Sequence, residues 1–156
     1  MQIRLMQAAD RAAVAALLVE LNRFEHQFSD DRDTSEEAGP ACLAVIEATV
    51  ARDGGAVIVA DDGDRLAGVL ALAFSAGEAY VRPDIRAHGR VLDLVVTADA
   101  RGRGVGPMLL AEAERRTREA GLSAMLVGAL IGNDHAIATY ERFGFRQQVI
   151  ELIKIL

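Results

Sequence analysis

One cysteine, Cys42, occurs in 156 residues, so no intramolecular disulfide can form. It lies in an apolar run with Ala41, Leu43 and Val45, as a small buried hydrophobe does in a reducing compartment, and this points to the cytoplasm. An unbroken apolar leader is also missing, because Arg4, Asp10 and Arg11 interrupt the N-terminus. The longest charge-free run, Ala120 to Asn133, is shorter than the ~20 residues that span a bilayer, so no membrane association is expected. Positive charge is in deficit: 17 Lys and Arg stand against 23 Asp and Glu, a net charge of −6. That is the wrong sign for a partner of the phosphate backbone, which argues against nucleic acid. Only three histidines are present, and His26, His88 and His135 are too scattered to give metal-ligand spacing, so no metal is assigned.

What is present is ordinary for a folded protein. Hydrophobic residues make up 51% and charged residues 26%, which excludes disorder and fibrous repeats. At ~100 to 200 residues per domain, the length predicts one domain spanning 1–156.

Met1 to Met6 reads as a strand. Asp10 can cap a helix whose Val14, Leu17, Leu18 and Leu21 recur at helical spacing up to about Phe28. Ser29 to Glu37 carries five acids, a stretch best read as a solvated connection, before Gly39-Pro40 opens a second helix to about Arg52. Ala56 to Ala60, the Asp61-Asp62-Gly63-Asp64 turn and Leu66 to Phe74 predict a β-hairpin. After an irregular stretch, Ala76 to Gly89, the run Val91 to Val96 is a strand that leads through a glycine cluster into a helix ending near Ala120. Ser123 to Leu130 is another strand; Asn133 caps a short helix closed by Gly144; Phe145 to Leu156 reads as a final long strand. The fold class is α/β (α+β), with a mixed sheet.

Arg101-Gly102-Arg103-Gly104-Val105-Gly106 stands between a buried strand and a helix, where exposed amides and the positive helix end hold anions. Glycines let a diphosphate approach the backbone closely, and Arg101 and Arg103 supply charged donors. A P-loop would need Gly-Lys-Ser/Thr, and a dinucleotide fingerprint would need glycine where Pro107 stands; neither is present. Taken alone, a glycine-rich turn with surface arginines accounts for the segment equally well.

Its context is more specific. Leu94-Val95-Val96-Thr97 followed by the 101–106 loop resembles the acyl-CoA signature of the GNAT acetyltransferases, a strand followed by Arg/Gln-x-x-Gly-x-Gly/Ala. About 30 residues later, Asn133, Ala136 and the run Tyr140-Glu141-Arg142-Phe143-Gly144-Phe145 resemble that family's second signature. The resemblance covers nearly the whole chain. It implies a mixed, mostly antiparallel central sheet flanked by helices, and transfer of an acetyl group from acetyl-CoA.

The same resemblance implies roles for individual residues. The pantetheine arm would pair with main-chain groups of Leu94 and Val96, on either side of Val95, and the pyrophosphate would take the amides of the Arg101–Gly106 loop, where Pro107 offers no N–H. Asn133 and Ala136 would border the cofactor. Tyr140 would protonate the departing thiolate, since a phenol of pKa ~10 can supply a proton to a thiolate of pKa ~8.5. Residue pattern alone also allows Ala136, Tyr140 and Phe143 as one apolar helix face, and Asn133 as an N-cap.

Glu20-Leu21-Asn22-Arg23-Phe24-Glu25 resembles the helix of the diamine and polyamine branch, which implies a small cationic amine acceptor bound near Phe24 and Glu25. That branch often has Glu-Asp where this chain has Leu92-Asp93. Simple alternation places Asp93 on the face opposite Leu92 and Leu94, leaving Asp93, Glu78 or a water relay as the base. Protein N-terminal or lysine acetylation and a non-catalytic acyl-CoA sensor are the alternatives. Val149 to Leu156 could pair across a homodimer.

Overall fold

The structure is a computed structural model that describes residues 1–156. β1 (Gln2–Leu5) leads through a 3-10 turn at Ala8–Asp10 into α1 (Arg11–Glu25), and α2 (Ala38–Asp53) follows the acidic segment. The hairpin of β2 (Gly55–Asp61) and β3 (Leu66–Ser75) precedes a single turn, α3 (Pro83–Arg86), and the long β4 (His88–Val96). α4 (Val105–Glu119), β5 (Met125–Val127) and α5 (Asp134–Phe143) complete the order.

The five strands form one sheet in the order β1-β2-β3-β4-β5, antiparallel except for the parallel pair β4 and β5. This is the mixed, mostly antiparallel sheet expected from the sequence. Helices cover both faces, which is why β2 and β3 are nearly continuous apolar runs. One face buries Val57, Val59, Val69 and Ala71 against Val14, Leu17 and Leu18 of α1 and Leu43 and Ile46 of α2. The other buries Ile58, Leu70 and Leu72 against Leu109, Leu110 and Ala113 of α4. Each fully buried Leu or Ile contributes about 1.5–3 kcal/mol relative to exposure. α1 and α2 cross closely at Gly39, where an added Cβ would lie 2.2 Å from the Ala15 carbonyl oxygen. No helix is long and apolar enough to cross a membrane.

Three expectations change. Asp10 does not cap α1: its own backbone is helical, and its carboxylate instead accepts from the Gln7 amide at 2.7 Å and pairs with Arg4 at 2.6 Å. Only Met125–Val127 of the expected 123–130 strand pairs with the sheet. The expected strand over 145–156 is not formed; Leu152 is 92% and Ile153 76% exposed, because this β-prone run finds no partner strand within the chain.

Candidate active site

The site arises where two neighbouring strands part. β5 pairs with β4 only at Gly89, Arg90 and Val91, so Asp93 to Val96 keep their β3 partners but have a free edge on the other side. Beyond that edge opens a cleft of about 390 Å³, within the ~300–1,000 Å³ typical of ligand pockets. Its walls are the β4 edge (Leu94, Val95, Val96), the glycine loop, the first turn of α4, one side of α5, and Leu21, Phe24 and Glu25 from the end of α1.

The loop supplies donors. Gly104 takes the left-handed conformation (φ 81°) that starts α4, and no side chain caps this helix end. The amides of Gly104, Val105 and Gly106 therefore lack an intrahelical acceptor, and Pro107 has no N–H, so the helix end presents three donors rather than four. At Gly102 and Gly104 an added Cβ would meet nothing within 4 Å, which shows open space above the loop.

The two arginines behave differently from expectation. Arg103 is exposed and lies outside the cleft. Arg101 lines it but is engaged: its guanidinium carbon sits 4.6 Å from the centre of the Phe24 ring, and its Nε donates to the Val96 carbonyl at 3.2 Å. It thus ties α1 to the open edge of β4. His135 and Arg142, which sequence reasoning missed, add basic groups from α5; their spacing within that helix was a signal for a shared face.

Asn133 is buried, and its Oδ1 accepts from the Ala136 amide at 3.2 Å, so the cap aligns α5 along the cleft with Ala136, Thr139 and Tyr140 facing it. Tyr140 packs edge-on against Phe145 with ring centroids 5.9 Å apart. Burial, then the charges of Glu25 and Asp93, push its phenol up to about 12. The hydroxyl is therefore protonated throughout the physiological range.

Asp93 lies on the α1 side of the sheet by ordinary alternation with Leu94, and a bulge brings Leu92 to that side as well. Ala71 opposes Asp93 while Leu72 opposes Val91, so Leu92 has no partner across the strand pair. The expected alternation fails at Leu92, which packs with the cluster under α1 and α2, while Asp93 meets the fields of Glu25 and Arg32 at the end of α1. Burial, reinforced by Glu25, raises the Asp93 carboxyl above its ordinary value, while Arg32 works the other way. Glu78 is exposed and does not border the cleft. Glu25 does border it and accepts a 2.8 Å hydrogen bond from Arg32 Nε. Chemically, the cleft joins an anion-binding helix end and an unpaired strand edge to a neutral phenol, whose proton affinity is raised in part by the half-buried Asp93 carboxylate. No group of three His, Cys, Asp or Glu side chains is placed to hold a metal.

Solved structures share this architecture. An aminoglycoside antibiotic 6′-N-acetyltransferase from Acinetobacter haemolyticus is similar at a TM-score of 0.74 and 16% identity, over 100% of this chain and 99% of that one. A tetramutant of a Bacillus halodurans protein is similar at 0.82 and 19% identity, over 100% of both chains. A transcriptional regulator from Bacillus halodurans C-125 is similar at 0.75 and 19%, over 99% of both, so likeness at this level reports the fold alone. No curated protein sequence matches significantly. The family model described as Acetyltransferase (GNAT) family matches residues 12–145, a span holding the β4 edge, the glycine loop and Tyr140. The chain therefore belongs to the acetyltransferase (GNAT) family of enzymes.

Proposed function

We propose that the protein moves the acetyl group of acetyl-CoA to the primary amine of a small cationic molecule, a diamine or polyamine, by direct attack. The observation that carries this reading is that Tyr140 and Glu25 line the same cleft as the α4 N-terminus, with Asp93 close enough for its charge to act on the phenol. The family uses acetyl-CoA as acetyl donor. The residues here fit that cosubstrate: the free edge of β4 can accept pantetheine as an added strand, and the Gly104, Val105 and Gly106 amides can hold the pyrophosphate. The Val96 carbonyl has a second lone pair for such pairing beside Arg101, and release of Arg101 would free its guanidinium for the phosphates.

An alkylamine of pKa ~10 is almost wholly protonated at pH 7 and must lose a proton before it attacks. In this reading Asp93, directly or through water, takes that proton; the nitrogen then bonds to the thioester carbon, and the carbon–sulfur bond breaks. Tyr140 donates to the sulfur as negative charge builds there. The two groups assist each other. Once Asp93 is neutral, one of the charges that keep the phenol weak is gone, and Tyr140 becomes a better acid at the step that needs it.

The acceptor class rests on Phe24 and Glu25 in the Glu20–Glu25 segment and on the fold shared with an enzyme named for aminoglycosides, which are polycationic amines. The exposed apolar C-terminal segment supports assembly with a second copy as a homodimer, and the lone cysteine supports a cytoplasmic setting. A panel of acetyl-CoA with diamines, neutral-tailed monoamines and lysine or N-terminal peptides, read by thiol release, tests the assignment. Preferred turnover of diamines is expected. Turnover of peptides alone, or CoA binding without any turnover, overturns it in favour of a protein acetyltransferase or an acyl-CoA sensor.

A further inference from the structure

The carboxylate that would hold a cationic acceptor is already paired with a cation belonging to the chain. Arg32 Nε donates to Glu25 Oε2 at 2.8 Å, and a second nitrogen of Arg32 lies 3.2 Å from Asp31. The Glu25 and Arg32 side chains are 22% and 30% exposed, so water can reach the pair and a competing cation can too. Arg32 is held in place from behind. Asn22 Nδ2 donates to the Asp33 carbonyl at 2.8 Å, Arg23 Nε donates to the Thr34 carbonyl at 3.2 Å, and Arg23 pairs with Glu36 at 2.6 Å. Two adjacent residues of α1 thereby fasten the acidic connection over the end of the helix, and its single arginine is directed at Glu25 at little further cost in chain entropy. The charge of Arg32 is also felt by Asp93.

We propose that Arg32 is a specificity-determining residue, a tethered cation that occupies Glu25 in the free enzyme and that the distal ammonium of a diamine must displace. This rests on the acceptor reading above and deepens it. Arg32 then sets the affinity for a cationic tail, while a neutral-tailed monoamine never competes for Glu25. The acidic connection acquires a purpose beyond solvation: Asp31 receives the displaced guanidinium, so Arg32 does not lose every partner when the substrate arrives.

The test compares wild type, Arg32→Gln and Arg32→Lys with 1,4-diaminobutane and n-butylamine. Steady-state KM values are measured, and diaminobutane binding to the CoA-loaded protein is followed by calorimetry. A partly exposed ion pair of this kind corresponds to about a fivefold effect. Arg32→Gln is expected to lower both KM and Kd for the diamine about fivefold, to leave the n-butylamine KM within twofold, and to be matched by no such change in Arg32→Lys. An unchanged or raised diamine KM in Arg32→Gln, or an equal fall for both amines, overturns the proposal, the latter because it reports general loosening of the connection. If wild type turns over neither amine, the acceptor reading fails. The calorimetric arm still decides on Arg32, since equal diamine affinity in wild type and Arg32→Gln, or binding to neither, contradicts competition at Glu25.

Discussion

At the scale of single residues, the surroundings of Asp93 show what a sequence withholds. Its neighbours Leu92 and Leu94 announce a strand, and strict alternation sets Asp93 opposite both; Asp93 does lie opposite Leu94, on the α1 side of the sheet, but the bulge turns Leu92 to that same side. A bulge depends on how two strands settle against each other, and no local residue type marks this one. Asn133 was legible as a cap and Gly144 as the stop of α5, whereas the role of Tyr140 was legible only through the resemblance of the 133–145 run to a known signature, since its spacing alone also fits an apolar helix face. The raised Asp93 carboxyl has two consequences. As a base it must be ionised, so kcat/KM should climb with pH through that raised value, and Asp93→Asn should cut kcat about 10²-fold and remove the acidic limb of the pH–rate profile. For stability the sign is opposite: the folded state holds this proton more tightly than the unfolded state, whose value is near 3.8, so stability is lost as pH rises from there through the raised folded value, and the full cost is present above it. Asp93→Asn should therefore melt above wild type at pH 7 to 8, and this advantage should vanish below the ordinary carboxylate range. A lower melting temperature at pH 7 with kcat unchanged would show that Asp93 is structural.

At the scale of elements, the glycine loop and α4 were readable together, since the loop needs no partner to define itself. The parting of β4 from β5 was not. Ser123 to Leu130 is apolar enough for a strand throughout, yet how much of it pairs depends on the path taken to Asn133, and only three residues do. That shortfall leaves the β4 edge free and creates the cleft. Gly104→Asp separates fold from binding at the other end of the site. Aspartate tolerates the left-handed conformation better than most residues and is a favoured helix cap, and the added Cβ meets nothing within 4 Å. Its carboxylate would then claim the α4 amides and repel a diphosphate. The variant should melt within a few degrees of wild type and bind CoA at least 10-fold more weakly by calorimetry. Unchanged CoA affinity would remove the α4 N-terminus from the cofactor site.

At the scale of the whole molecule, the C-terminal segment carries the largest misreading and a prediction. Val149, Ile150, Leu152, Ile153 and Ile155 have the composition of a strand, but a strand exists only against another, and this chain leaves them exposed. Burial against a second copy is the expected outcome, so deletion of 146–156 should convert a dimer to a monomer in analytical ultracentrifugation. A dimer that survives the deletion would place the interface elsewhere. The proposed catalysis, by contrast, needs α1, β4 and α5 of one chain to meet at Tyr140, whose phenol is pushed up to about 12 by burial and by Glu25 and Asp93. Tyr140→Phe keeps the ring against Phe145 and removes one oxygen, so it isolates the central claim. Steady-state rates with a saturating diamine, accompanied by CoA binding and a melting curve, should show kcat lower by about 10²-fold with CoA affinity and melting temperature near wild type. An unchanged kcat, under conditions where single-turnover rates show chemistry to be limiting, would contradict the account.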